Sequence, residues 1–271
     1  MTMKEKLAYC SEQRKALLAV NFYNFETLKG LLQAAKATKS SLILQLSESS
    51  LQYLGIKPAI AMARAMMKEY NVEGWVHLDH GSSIGIVTKC LDAGFDSVMI
   101  DASEKCFDEN ISVTKEAVKI AALYDANVEA ELGYIAKLNQ SQTIEPTSAA
   151  DAKRFVEATG INALAVAIGN AHGFYKETPM LRLDRLREIR AVTTCALVLH
   201  GSSGIPDEQL QKAIRSGISK INLATETKNI FMRKLRSLLA DSDEIDLRKV
   251  FPKATDEVTA LITGKLNTIN I

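Results

Sequence analysis

The chain has 271 residues, 47% of them hydrophobic and 24% charged, with a formal net charge of +1. That balance supplies neither the basic footprint of a nucleic-acid binder nor a surface matched to an anionic membrane, and no apolar run approaches the ~20 residues that span a bilayer. "MTMKEKLAYC" lacks the apolar segment and cleavage site of a secretory leader, and the four cysteines are scattered without CxxC spacing, so free thiols and a cytoplasmic location are expected.

Short β-branched, apolar runs alternate with longer amphipathic ones. The first run, 16–22 (ALLAVNF), is followed by ETLKGLLQAAKAT, whose apolar residues fall at i, i+3, i+4 and i+7. Run 41–47 (SLILQLS) leads to KPAIAMARAMMKEY, run 74–80 (GWVHLDH) to SIGIVTKCLDAG, and run 96–101 (DSVMID) to DENISVTKEAVKIAALYDA. Run 127–133 (NVEAELG) enters the unpatterned stretch 134–148, long enough to be a functional loop. A helix then opens at Ser148 or Asp151 and closes at Gly160. Run 163–169 (ALAVAIG) precedes RLDRLREIRAV, and run 195–201 (CALVLHG) precedes a helix framed by Pro206 and Gly217. Run 220–225 (KINLAT) comes last, and two further helical patterns follow it.

Strict alternation implies parallel strands with crossover helices, and continuously apolar strands imply burial on both faces. Eight such units predict a TIM (β/α)8 barrel filling residues 1–271 as a single domain, with extra C-terminal helices. An open doubly wound sheet is the alternative, but no GxGxxG follows the first run.

Polar residues gather where the runs end: Asn21, Gln45 and Ser47, Asp79 and His80, Asp101, Glu129 and Glu131, then GNAHG, HGSSG, and finally Asn222 and Thr225. In a barrel these ends share the rim that carries active sites. Loops begin at strand ends, which accounts for any single Asn or Ser; it does not account for His80, His172 and His200, three of only four histidines. Three neutral imidazoles suit Zn²⁺ with a position left open for substrate. A metal-free pocket of hydrogen-bonded histidines is the competing reading, and His77, earlier in its strand, is assigned to packing or support. The small residues of HGSSG and NLAT occupy the usual phosphate position of such barrels.

The stretches AVNFYNFET, HLDHG, GFDSVMID, VEAELG, LAVAIGNAHGFYK, LVLHGSSGIPDE and KINLATETK together resemble the class II, zinc-dependent ketose-bisphosphate aldolases, over roughly residues 5 to 230. The resemblance implies one Zn²⁺ per subunit on His80, His172 and His200, with Asp101 and Glu131 at a second or alternate metal position. It implies Asp79 as the proton donor to the departing aldehyde oxygen. It places dihydroxyacetone phosphate against Gly173, Gly201, Ser202, Ser203, Asn222, Leu223, Ala224 and Thr225, with Asn21 and Ser47 facing the substrate. A monovalent cation or a second divalent metal, and a homodimer or homotetramer, also follow from it. The expected reaction is cleavage of a fructose- or tagatose-bisphosphate-class ketose to dihydroxyacetone phosphate and an aldehyde through an enediolate. No lysine ends a strand, and Lys220 is read as opening the eighth at the opposite end of the barrel, so a metal rather than a Schiff base is expected to absorb the charge.

The sequence departs from the family pattern after VEAELG. The glycine-rich acidic loop is replaced by YIAKLNQSQTIEPTS, whose one acid, Glu145, either moves the C3 proton or leaves that role empty. Ser202 replaces a glycine, and Asn170 a threonine or serine. The alternative functions are therefore an aldolase-scaffold protein with an altered substrate, such as a deoxy-keto-gluconate phosphate, and a non-catalytic sugar-phosphate binder.

Overall fold

The structure is a computed structural model that describes residues 1–133, 135, 146–240 and 242–270. Strands β1 (Leu17–Asn21), β2 (Leu42–Ser47), β3 (Gly74–Gly81), β4 (Ser97–Ile100), β5 (Asn127–Leu132), β6 (Ala163–Val166), β7 (Ala196–Leu199) and β8 (Ile218–Leu223) close into a parallel barrel in chain order. The helices are α1 (Met3–Glu12), α2 (Phe25–Thr38), α3 (Glu48–Leu54), α4 (Ile56–Tyr70), α5 (Ile84–Asp92) and α6 (Phe107–Ala121), then α7 (Ala149–Thr159), α8 (Leu183–Val192), α9 (Asp207–Ser216), α10 (Thr225–Leu239) and α11 (Leu247–Ile269). The TIM barrel expected from the alternation is present, with α10 and α11 beyond the last strand.

The start and stop chemistry acts as the sequence suggests. Ser148 Oγ accepts from the Asp151 amide 3.0 Å away at the head of α7, and Gly160 ends that helix in the left-handed region. Two helices go beyond the periodicity reading. α1 looks too charged to pack, yet Thr2 and Glu5 form a reciprocal capping box and Met3, Leu7 and Cys10 are buried. α3 is a short helix capped by the Ser47 hydroxyl.

The eighth strand also shifts. Gly217, at φ 122°, turns the chain out of α9 directly into Ile218, so β8 starts two residues before the apolar run KINLAT. Lys220 therefore does not open the strand at the far end of the barrel. It sits mid-strand, fully buried and paired in register with Leu17 and Val198.

Two apolar regions carry the packing. The larger lies between the barrel and its helices. The smaller is formed by alternate strand residues that point inward, among them Leu17, Ala19, Ile43, Trp75, Ala165 and Val198, and Met3, Leu7 and Cys10 of α1 close it from below. Above that floor the inward positions turn polar: Asn21, Gln45, His77, Asp79, Glu129, Glu131, His200, Lys220 and Asn222 are all buried. No helix of the described residues is long and apolar enough to cross a membrane.

Candidate metal centre and substrate cleft

Strand alternation sends Trp75, His77 and Asp79 inward and would send His80 outward. A bulge reverses the last of these. The pairing of β3 with β4 slips between Leu78 and Gly81, so that Asp79 and His80 together stand opposite the single residue between Val98 and Ile100. His80 takes a left-handed backbone, φ 51°, unusual for a non-glycine residue. The kink swings its ring back over the barrel mouth, and thus HLDHG delivers both a carboxylate and an imidazole.

His172 arrives from the segment after β6, which two side chains hold in place. Asn170 Oδ1 accepts from the Ile168 amide at 2.8 Å and its Nδ2 donates to the His200 carbonyl at 3.1 Å. The Tyr175 hydroxyl accepts from the Ala171 amide at 2.8 Å and donates to the Gly201 carbonyl at 2.9 Å. Gly201, at φ 62°, passes so close that a methyl group there would lie 2.1 Å from the Ala171 carbonyl oxygen. Asn170 thus works as a clip between two rim segments.

The three imidazoles meet. Ring centroids lie 5.0 Å apart for His80–His172, 4.8 Å for His80–His200 and 5.6 Å for His172–His200. Glu131 joins them, and ligand atoms from all four residues lie within 4.8 Å of one another. Hydrogen bonds orient the donors. His80 Nδ1 is 2.6 Å from Asp101 Oδ2, which leaves Nε2 for a ligand. His200 Nε2 is 2.9 Å from Glu129 Oε1, which leaves Nδ1. Glu131 Oε2 and His200 Nδ1 are 3.4 Å apart, and both are buried without a hydrogen-bond partner. Unpaired buried polar atoms are costly. A divalent cation would satisfy both, so this N₃O donor set fits a metal ion. Glu131 belongs with the histidines, whereas Asp101 supports His80 through its Nδ1.

The charges follow from burial and proximity. Burial pushes the Glu131 carboxyl up to about 8. Burial alone would lower His80, but Asp79 and the hydrogen bond that the ring donates to Asp101 outweigh it and raise the ring to about 9. Burial, then the neighbouring His80 and His172, holds His200 well below the ordinary histidine value and hence neutral. Burial opposes ionisation of Asp79, yet the charge on His80 and the hydrogen bond from Asn21 outweigh it and keep the carboxyl below its usual value. Asn21 Nδ2 donates to Asp79 Oδ2 at 2.8 Å and Asn222 Nδ2 reaches Oδ1 at 3.4 Å, both bonds favouring the carboxylate.

Cavities flank the histidines. A narrow cleft of about 60 Å³ collects Asn21, Asp79, Gly173, Gly201, Ser203, Asn222, Ala224 and Thr225. It abuts the N-terminus of α10, where backbone N–H groups favour an anion. A wider cavity of about 760 Å³ opens on the other side, toward Ser82, Ser103, Lys105 and Ile135. Three residues expected at the substrate have other positions. Ser47 caps α3 and lines neither of these two cavities. The Ser202 hydroxyl donates to the Asn222 carbonyl at 2.6 Å. Leu223 packs in the outer core. Glu145 lies outside the described residues.

A parallel barrel with three histidines and a carboxylate converging at the C-terminal rim, beside an anion-ready helix end, fits a metal-dependent barrel enzyme with an anionic ligand. The family model described as "Fructose-bisphosphate aldolase class-II" matches residues 1–271. The chain is 40% identical over 273 residues to a fructose-bisphosphate aldolase of Geobacillus stearothermophilus, covering 98% of this chain and 95% of that one. It is also 40% identical to a probable fructose-bisphosphate aldolase of Bacillus subtilis (strain 168), covering 98% and 96%. The crystal structure of the YdjI aldolase from Escherichia coli K12 superposes with a TM-score of 0.89 at 31% identity, over 99% of this chain and 96% of that one. This chain belongs to the class II fructose-bisphosphate aldolase family: it is a metal-dependent aldolase, a carbon–carbon lyase acting on a small sugar-phosphate substrate.

Proposed function

We propose that the chain cleaves a ketose phosphate of the fructose- or tagatose-bisphosphate class to dihydroxyacetone phosphate and an aldehyde, with Zn²⁺ on His80, His172 and His200. The observation that carries this reading is the pair of unsatisfied atoms, Glu131 Oε2 and His200 Nδ1, facing each other beside His80 and His172. A bound divalent cation supplies the electrophile that absorbs the negative charge left on the ketone fragment when the carbon–carbon bond breaks.

The chain's own residues do the rest. The cleft at Gly173, Gly201, Ser203 and Thr225 receives the phosphate of the ketone half against the N-terminus of α10. Asn21 and Asn222 hold Asp79 ionised and oriented. In the cleavage direction an ionised Asp79 accepts the proton of the hydroxyl that becomes the aldehyde; the donor role belongs to the reverse, condensing direction. The wider cavity at Ser82, Ser103 and Lys105 takes the aldehyde half. We assign Glu145 the return of a proton to the ketone fragment. The setting is a cytoplasmic homodimer or homotetramer; four free cysteines support the reducing compartment.

The test is a panel of fructose, tagatose and deoxy-keto-gluconate phosphates assayed for triose release with and without chelator, alongside elemental analysis. Chelator-sensitive cleavage with stoichiometric zinc is expected. Sugar-phosphate binding without turnover in the zinc-loaded protein would refute it.

A further inference from the structure

Beneath the site runs a buried polar chain that the cleavage chemistry does not use. Glu129 Oε1 is bonded to His200 Nε2, and its Oε2 accepts from Lys220 Nζ at 2.8 Å. Lys220 Nζ lies 3.4 Å from His77 Nε2, and His77 Nδ1 lies 2.7 Å from Ser97 Oγ. Lys220, Glu129, His77 and His200 are all 0% exposed. A lysine in the middle of a barrel is costly to retain, since an ion pair there seldom outperforms apolar packing.

We propose that Lys220 is a positioning residue: through Glu129 it determines which ring nitrogen of His200 is left bare for the cation. An ammonium has three donors and no acceptor, so it fixes the sense of every bond around it. Lys220 donates to both Glu129 and His77. Glu129 takes the Lys220 donor at Oε2 and offers Oε1 as the acceptor, so His200 carries its proton on Nε2 and presents Nδ1 to Glu131 and the other two histidines. Burial, then Lys220, keeps His77 neutral, consistent with an acceptor at its Nε2. The inference rests on the reading that His200 is a metal ligand.

Removing the lysine should reverse the sense of the bonds. In Lys220→Met, Glu129 loses the donor that fixes it as an acceptor. With the sense of the Glu129–His200 bond no longer fixed, the imidazole proton moves onto Nδ1, the ligand atom. Affinity for Zn²⁺ and Co²⁺, read by chelator competition and by the visible absorption of the cobalt form, should fall about 10–100-fold, the usual cost of losing a group that orients a ligand. Adding Glu129→Gln to Lys220→Met should restore most of it. The amide oxygen can accept from His200 Nε2–H while its NH₂ faces His77 Nε2, which stands 3.9 Å from Glu129 Oε2. Two losses that simply accumulate would instead make the double variant the weaker binder.

Histidine ¹⁵N NMR of the unaltered protein needs no variant to fold. It should show the Nε2–H tautomer of His200 both with and without zinc. Unchanged metal affinity in Lys220→Met, a double variant weaker than the single one, or an Nδ1–H His200 in the metal-free protein would overturn the inference. Absence of any divalent-cation binding by the unaltered protein would remove the metal reading itself, and this inference with it.

Discussion

Asp79 and His80 are sequence neighbours that face one cavity, which a regular strand forbids. The left-handed turn at His80 resolves this at a cost of about 1–3 kcal/mol, the range for strained non-glycine residues at functional sites. No spacing rule announces a bulge, so HLDHG was legible as a place where chemistry gathers but not as a kink. Glu131 was harder to read: its partner atoms come from segments far away in sequence, and only the fold shows that it stands with the histidines rather than apart from them. Two predictions belong here. Asp79→Asn keeps the shape but cannot take a proton, so metal content should hold while kcat for cleavage falls about 10²–10⁴-fold; full activity in the substituted protein would remove the acid–base role. At pH 7 the metal-free centre holds protons on His80, near 9, and Glu131, near 8. A cation must displace them, so binding should release protons and tighten as the pH rises toward about 9. Calorimetry in buffers of differing ionisation enthalpy reads this directly, and a proton-neutral heat would contradict it.

Helices and strands were largely legible because each side-chain period is local. Runs apolar on both faces marked the strands, and Ser148, Gly160, Pro206 and Gly217 marked helix ends. What escaped was decided by non-local contacts. α1 has a polar, charged sequence and earns its place only by setting Met3, Leu7 and Cys10 against the barrel interior. Lys220 reads from the sequence as opening the eighth strand, whereas that strand begins two residues earlier, at Ile218. Shortening Leu7 to alanine would leave a cavity in the barrel floor, well away from the rim. Stability should drop by about 2–5 kcal/mol, with KM and kcat of the surviving folded protein unchanged. A matching loss of catalysis would mean that floor and rim are coupled.

On the scale of the molecule, one end of the barrel is sealed with hydrocarbon and the other is lined with polar groups, and the candidate metal donors come from β3, β5 and the segments after β6 and β7. A ligand held by so many separate segments binds the folded chain alone, so stripping the metal should lower the thermal midpoint. With free cation at a hundred times its dissociation constant the contribution is about 2.7 kcal/mol. An identical melting curve in excess chelator would show that the cluster binds no ion tightly. The seam of the barrel has a different implication. Leu17 pairs with Lys220, and α11 packs so tightly on α2 that a methyl group at Gly30 would lie 2.9 Å from Val258. During synthesis on the ribosome the first strand must therefore wait, unpaired on one side, until nearly the whole polypeptide has emerged. Such an early intermediate has two open edges, β1 and the strand made last, and those edges are where newborn chains would stick to one another if synthesis stalled.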